Sequence, residues 1–227
     1  MSHYNSAVIP KHIAASLPNI NLLRQVLPLN LTELDASVHL VRAAWNEASV
    51  WPKKVNRTYR YGPNISLKTA AGFPFHWIYA AKETLTAIWE AQLCTNPITH
   101  PGRFTLELGA EKAFIANLSF DRTLRLFDLS GEAASKLGIY DQLRSPDYEW
   151  CQWFGFQIDQ VLSEQSEKVH GFVYPSRRHP SSLAYAISSR VHAELAKSLV
   201  SPMQEFEKTQ EYSELISDPC FIKREDL

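Results

Sequence analysis

Between about residues 54 and 190 the chain is a succession of short apolar runs, some reading as strands and some as helices, in no regular order. This irregularity limits the fold more than any other feature. A doubly wound α/β sheet needs strand and helix in steady alternation, whereas a mixed succession favours α+β. Val55 to Tyr61 alternates weakly, and His76 to Ala81 is a short buried strand candidate. Residues 83–94 follow as a helix with Leu85, Ile88, Trp89 and Leu93 inward. Three strand-like runs come next, Arg103 to Leu108, Ala113 to Leu118 and Leu124 to Leu129. Ser130-Gly131-Glu132 opens a short helix that Gly138 ends. Ser145-Pro146 starts a longer one, with Cys151, Phe154, Ile158, Val161 and Leu162 at helical spacing. Gly171 to Ser176 and Leu183 to Ser188 read as two further strands.

The flanks differ in texture. Pro10, Pro18 and Pro28 interrupt short apolar pieces in residues 1–29. A helix is then expected over about 31–48: Asn30 with Glu33, or Thr32 with Asp35, has capping-box spacing, and Leu34, Val38, Val41, Trp45 and Ala48 fall on one helical face. Beyond Pro202 the chain is polar and charged, as expected of a surface helix and tail. The division is therefore a helical N-terminal extension over 1–53, a main domain over 54–200 and a C-terminal helix and tail over 201–227. Hydrophobic residues make up 45% of the chain, with six Trp, nine Tyr and eleven Phe, which supplies a sizeable core. There is no internal repeat, and GxGxxG, GxxxxGK[ST] and GxSxG are all missing, which argues against Rossmann dehydrogenases, P-loop NTPases and α/β-hydrolases.

Net charge of −1 lacks the basic footprint of a general nucleic-acid binder, so no direct nucleic-acid partner is expected. Cys94, Cys151 and Cys220 are far apart and show no ligand spacing, so neither a metal site nor a disulfide framework is expected. The N-terminal residues lack a basic segment followed by an apolar run, and no stretch is long enough for a membrane span. A cytoplasmic protein without membrane contact is the expectation.

Four residues stand out as carriers of chemistry. Glu90, on the helix 83–94 among Thr86, Ala87 and Cys94, is either a solvated helical carboxylate or a partly buried one that needs a partner. Arg60 precedes Gly62-Pro63 and is expected at a strand end, where its fork can meet phosphate or carboxylate; Arg57 competes for that role. Tyr79 ends the strand before the Glu90 helix and could stack on a flat heterocycle, or simply fill core. Ser176 follows Tyr174-Pro175 at a strand end or bend, a setting for hydrogen bonding rather than nucleophilic attack. His76, His170 and His179 are scattered and read as structural.

At these residues the sequence resembles the RES-domain family, named for its Arg, Glu and Ser signature. Tyr79 followed by Thr86-Ala87-Ile88-Trp89-Glu90 matches the family's tyrosine strand and Thr-Ala-x-x-Glu helix. Tyr174-Pro175-Ser176-Arg177-Arg178 matches its Tyr-Pro-Ser-x-Arg segment, and Arg60-Tyr61-Gly62-Pro63 its arginine segment. The resemblance covers roughly residues 54–190. Ser181-Ser182-Leu183 stands where many members carry an Asn, and both termini extend past the compact toxin domain.

The resemblance implies an ADP-ribosyltransferase-like fold, with a mixed, strongly bent sheet flanked by helices. It implies NAD as substrate, no metal, and cleavage of the nicotinamide–ribose bond with water or phosphate as acceptor. ADP-ribosylation of a protein, or a silent binding protein of the same fold, are the other readings. Arg60, with Arg178, would hold the pyrophosphate, Arg57 being the competitor for Arg60's place; Tyr79 would position nicotinamide; Glu90 would offset charge at the ribose; Ser176 would orient the ribose or Glu90. A toxin role implies a helix-turn-helix antitoxin as partner, and a homo-oligomer is left open.

Overall fold

The structure, a computed structural model, describes residues 8–165 and 167–226. Helices α1 (Lys11–Ala14) and α2 (Ile20–Val26) lead into strands β1 (Leu31–Leu34), β2 (Leu40–Ala44) and β3 (Trp77–Ala81). Helix α3 (Thr84–Glu90) is followed by a small hairpin, β4 (Cys94–Thr95) and β5 (Thr105–Leu106), and then by β6 (Phe114–Leu118) and β7 (Leu124–Asp128). Helices α4 (Glu132–Leu137) and α5 (Tyr148–Glu164) precede β8 (Gly171–Pro175) and β9 (Leu183–Ser188). The chain continues through α6 (His192–Leu195), β10 (Met203–Glu205) and α7 (Gln210–Ser217). None of the described helices is long and apolar enough to cross a membrane.

Eight strands form one mixed sheet in the order β1-β7-β8-β9-β3-β2-β6-β10. Only β7 and β8 pair in parallel among them. A parallel pair cannot be joined by a tight turn, and here the long connection is α4 and α5. With the separate hairpin and helices between, the architecture is α+β, as the irregular order of the runs predicts.

Alternation along the central strands buries both sheet faces. Trp77, Phe127, Phe172, Tyr174, Ala184 and Ala186 pack beneath α5, while Ile78, Leu126, Val173, Tyr185 and Ile187 point into a second cluster on the other face. Helix α5 is apolar nearly all round, burying Trp150, Trp153, Phe154, Phe156, Ile158 and Val161. Such a helix needs cover on its outer side as well, and Ile13, Leu23 and Val26 of α1 and α2 belong to the same cluster. The side chain of Asp147 caps α5 by accepting from Trp150 N at 3.1 Å, so the helix starts just past the expected Ser145-Pro146. A third cluster joins Ile88 of α3, Ile115 of β6 and Phe206 beside β10.

Two expectations are corrected. Residues 31–48 are not a helix: β1 pairs with β7, β2 pairs with β6, and an Asp35 turn joins them, with Asp35 Oδ1 accepting from Ser37 N at 2.8 Å. The helical part of the N-terminal segment is α1 and α2. The tail past Pro202 is likewise more than helix, because β10 adds an edge strand to β6 before α7.

Candidate active site

Strand β3 pairs with β9 at five consecutive positions but with β2 at one, Val41 opposite Ala81. Beyond that pair β2 and β3 part, and their backbone groups need other partners. Arg42 supplies one and is anchored in doing so. Its Nη1 donates to Tyr79 O at 2.5 Å, and its Nε and Nη2 donate to Ser49 O at 3.0 and 2.9 Å. Burial pushes the Arg42 guanidinium down to about 10, still charged at neutral pH. The opening is a cleft of about 930 Å³, lined by Arg42, Arg60, Tyr79, Glu90 and Tyr174 among others. That size suits a drug- or cofactor-sized ligand.

Glu90 is the last residue of α3, which stops short of the expected residue 94. The end is a Schellman motif: Leu93 N donates to Ile88 O at 3.1 Å and Gln92 N to Trp89 O at 3.1 Å, with Gln92 left-handed at φ 58. Leu93 and Cys94 then leave toward β4, so Cys94 is not a helical neighbour of Glu90. The half-buried Glu90 carboxylate accepts from Ser176 Oγ at 2.7 Å on Oε1 and from Tyr174 Oη at 3.1 Å on Oε2. Burial, then the charge of Glu90, raises the Tyr174 pKa well above its ordinary value, which keeps that hydroxyl a donor.

Ser176 is fully buried and is itself held, accepting from His179 N at 3.0 Å on Oγ while its own N–H donates to Ser182 O at 2.9 Å. Glu83 ties this loop to α3, accepting from Ser182 Oγ at 2.6 Å and from Thr86 Oγ1 at 3.1 Å. Those two bonds hold the Glu83 carboxyl below its usual range. Thr86 Oγ1 also lies 2.7 Å from His179 Nδ1. Each oxygen of the Glu90 carboxylate thus has a fixed donor, and each donor a packed support.

Arg60 lies in a turn, not at a strand end: residues 55–61 form no strand, and Gly62 N donates to Tyr59 O at 3.0 Å. Helix α5 fixes this turn from below. A Cβ on Gly155 would stand 2.0 Å from Tyr61 O, so only glycine lets the two backbones touch. From above, Tyr79 Oη accepts from Tyr61 N at 3.0 Å. Arg60 is 7% exposed; its Nη2 donates to Leu143 O at 2.6 Å and Ser145 O at 3.1 Å, and its ring neighbour Tyr61 lies 5.0 Å from Cζ. Nε and Nη1 have no hydrogen-bond partner among the described residues. Burial works against this cation, but Tyr61, Cys151, Tyr174 and Glu90 outweigh it and the net shift is upward. This guanidinium lines the cleft and forms no ion pair among the described residues, so its charge favours an anion there.

Arg60 and Glu90 line the same cleft, the first bonded to backbone carbonyls and the second to hydroxyls rather than to each other. Arg57, Arg177 and Arg178 line it too. Arg57 is exposed, with Nε donating to Tyr59 Oη at 3.1 Å and Cζ 5.2 Å from the Tyr59 ring centre. His76 and His170 are buried and backbone-bonded, Nε2 of the first 3.0 Å from Pro52 O and Nδ1 of the second accepting from Arg125 N at 3.0 Å. No group of three or more His, Cys, Asp or Glu able to hold a metal occurs among the described residues.

A model of the RES domain matches residues 39–210, well over half of the 227-residue chain. The chain belongs to the RES-domain family. No curated protein and no solved structure matches it. RES domains are associated with NAD-related enzymatic activity. In this RES domain Arg60, Tyr79, Glu90 and Ser176 all stand at or against one cleft, and Arg57 and Arg178 at its wall. Sequence reasoning missed two residues of the RES cleft. Arg42 falls within the stretch expected to be helical, and Tyr174 enters only as part of a motif. The hydroxyl of Tyr174 could have been suspected from its place two residues before Ser176 on one strand face.

Proposed function

We propose that the protein degrades NAD by cleaving the nicotinamide–ribose bond, as a glycohydrolase or phosphorylase. The observation that carries this reading is the carboxylate of Glu90, held by two hydroxyls in the same cleft that the Arg60 guanidinium lines. Arg60, with Arg178, binds the pyrophosphate; charge-assisted bonds from a guanidinium fork suit phosphate oxygens. Tyr79 flanks the nicotinamide end. As the C1′–N bond breaks, its electron pair passes to the pyridinium nitrogen and nicotinamide leaves neutral. Positive charge grows on the ribose, and the Glu90 carboxylate offsets it. Water or phosphate then bonds to C1′, water giving up a proton. Ser176 and Tyr174 keep Glu90 from turning away, so its orientation needs no adjustment during reaction.

Within this reading the cellular role is that of a toxin, neutralised by a helix-turn-helix antitoxin. The test is nicotinamide release from NAD by purified protein, with and without phosphate. Glu90→Gln is expected to lower the rate a hundred- to thousand-fold, about 3–4 kcal/mol, with an unchanged melting temperature. Turnover equal to wild type in that variant would refute the assignment. Free ADP-ribose as product identifies a hydrolase, its 1-phosphate a phosphorylase, and ADP-ribose on protein a transferase.

A further inference from the structure

Six cationic side chains line the cleft, Arg42, Lys54, Arg57, Arg60, Arg177 and Arg178, against two carboxylates, Glu90 and Glu107. Glu107 is already neutralised, accepting from Arg224 Nη1 at 2.5 Å and from Thr95 Oγ1 at 2.8 Å. Glu90 is held by hydroxyls rather than by a cation. Among the described residues no cation of the six forms an ion pair with any carboxylate. The cleft therefore holds a positive charge that its own walls do not cancel, and a site of this sign concentrates anions.

That charge exceeds what NAD calls for. A dinucleotide brings two backbone phosphates, with about one negative charge each, and its nicotinamide ring returns one positive charge. Arg42 is spent on the carbonyls of Tyr79 and Ser49. Arg60 and Arg178 are the pair given to the pyrophosphate, and Arg177 stands next to Arg178 in the chain and lines the same cleft. Those groups suffice for a pyrophosphate. Lys54 and Arg57, on the separate segment before Arg60, remain over.

Arg57 has a specific geometry. Its guanidinium lies over the Tyr59 ring, and only Nε is engaged, leaving the outer fork free in an exposed position. A guanidinium braced by an aromatic ring is pre-set for two parallel bonds to a phosphate. Tyr59 is 39% exposed and lines the cleft beside Arg57. A terminal phosphate adds about 1.5–2 negative charges. We propose that the preferred ligand is a dinucleotide with a third phosphate on its adenosine ribose, read by Arg57 and Lys54. This rests on the NAD-cleaving reading and narrows its substrate class.

Binding to the Glu90→Gln protein, in which turnover is suppressed, separates the two ideas. NAD and NADP are titrated by calorimetry at fixed ionic strength, into that protein and into one that also carries Lys54→Ala and Arg57→Ala. The expected result is NADP bound at least tenfold more tightly than NAD, with the ratio falling to near one in the triple variant. The ratio is the readout, since general loss of positive charge weakens both ligands. Equal or tighter binding of NAD overturns the third-phosphate proposal and leaves the NAD reading standing. A preference for NADP that survives in the triple variant overturns the assignment to Arg57 and Lys54. No binding of either dinucleotide to a folded protein overturns both.

Discussion

Strand β3 has two unlike sides. Toward β9 it runs in continuous register from Trp77 opposite Ser188 to Ala81 opposite Ala184. Toward β2 it keeps one pair and then opens around the Arg42 guanidinium. One edge is spent on the fold and the other on a space. Because the same strand serves both, a rigid backbone borders the cleft, and the tyrosine it carries can fix the Arg60 turn. Sites built on rigid elements hold their groups more accurately than sites on loops alone.

This contrast can be broken from either edge. On the paired edge Ile78 is fully buried, and Ile78→Ala is expected to cost about 2–5 kcal/mol of stability. Denaturant unfolding would measure that loss; a loss below about 1 kcal/mol would mean that this edge does not carry the core. On the open edge Ser176→Ala removes one donor to Glu90. A hydrogen bond to a charged group is worth about 1.5–3 kcal/mol, so nicotinamide release should fall about ten- to a hundredfold. Full activity in that variant would show that Glu90 does not depend on Ser176 for its orientation. The smallest effect belongs to Gln92, which holds a left-handed turn just past Glu90. Gln92→Gly relieves that conformation and is expected to raise stability by about 0.5–1 kcal/mol. A lower melting temperature would indicate that the Gln92 side chain contributes more than its backbone costs.

The paired edge was also the legible one. Runs such as Ile78-Tyr79-Ala80 and Phe172-Val173-Tyr174 alternate between two buried faces, and their apolar character survives any choice of neighbours. Helix α5 was equally readable from Phe154, Ile158 and Val161. The open edge was misread at its start. Leu34, Val38, Val41 and Trp45 fit a helical stripe, but Asp35-Ala36-Ser37 is a turn that divides two strands. That error hid Arg42, because an arginine on an exposed helix has no reason to be noticed. Arg60 was found by its residue type, yet its setting was not. Its pairing with Leu143 O and Ser145 O spans more than eighty positions, and the glycine that admits its turn lies on α5. Glu90 and Ser176 were recognised as segments; the bond between them is a product of the sheet order, which sets β8 next to β9 and β9 next to β3.

The way Arg60 is held also decides what could replace it. Its Nη2 is consumed by two carbonyls of the chain, while Nε and Nη1 are buried without a hydrogen-bond partner among the described residues. A lysine would bring a single ammonium, which would have to choose between those carbonyls and an incoming anion. One planar group that anchors to the scaffold through a single arm and still carries its full charge beside a cleft belongs to arginine alone among the common side chains.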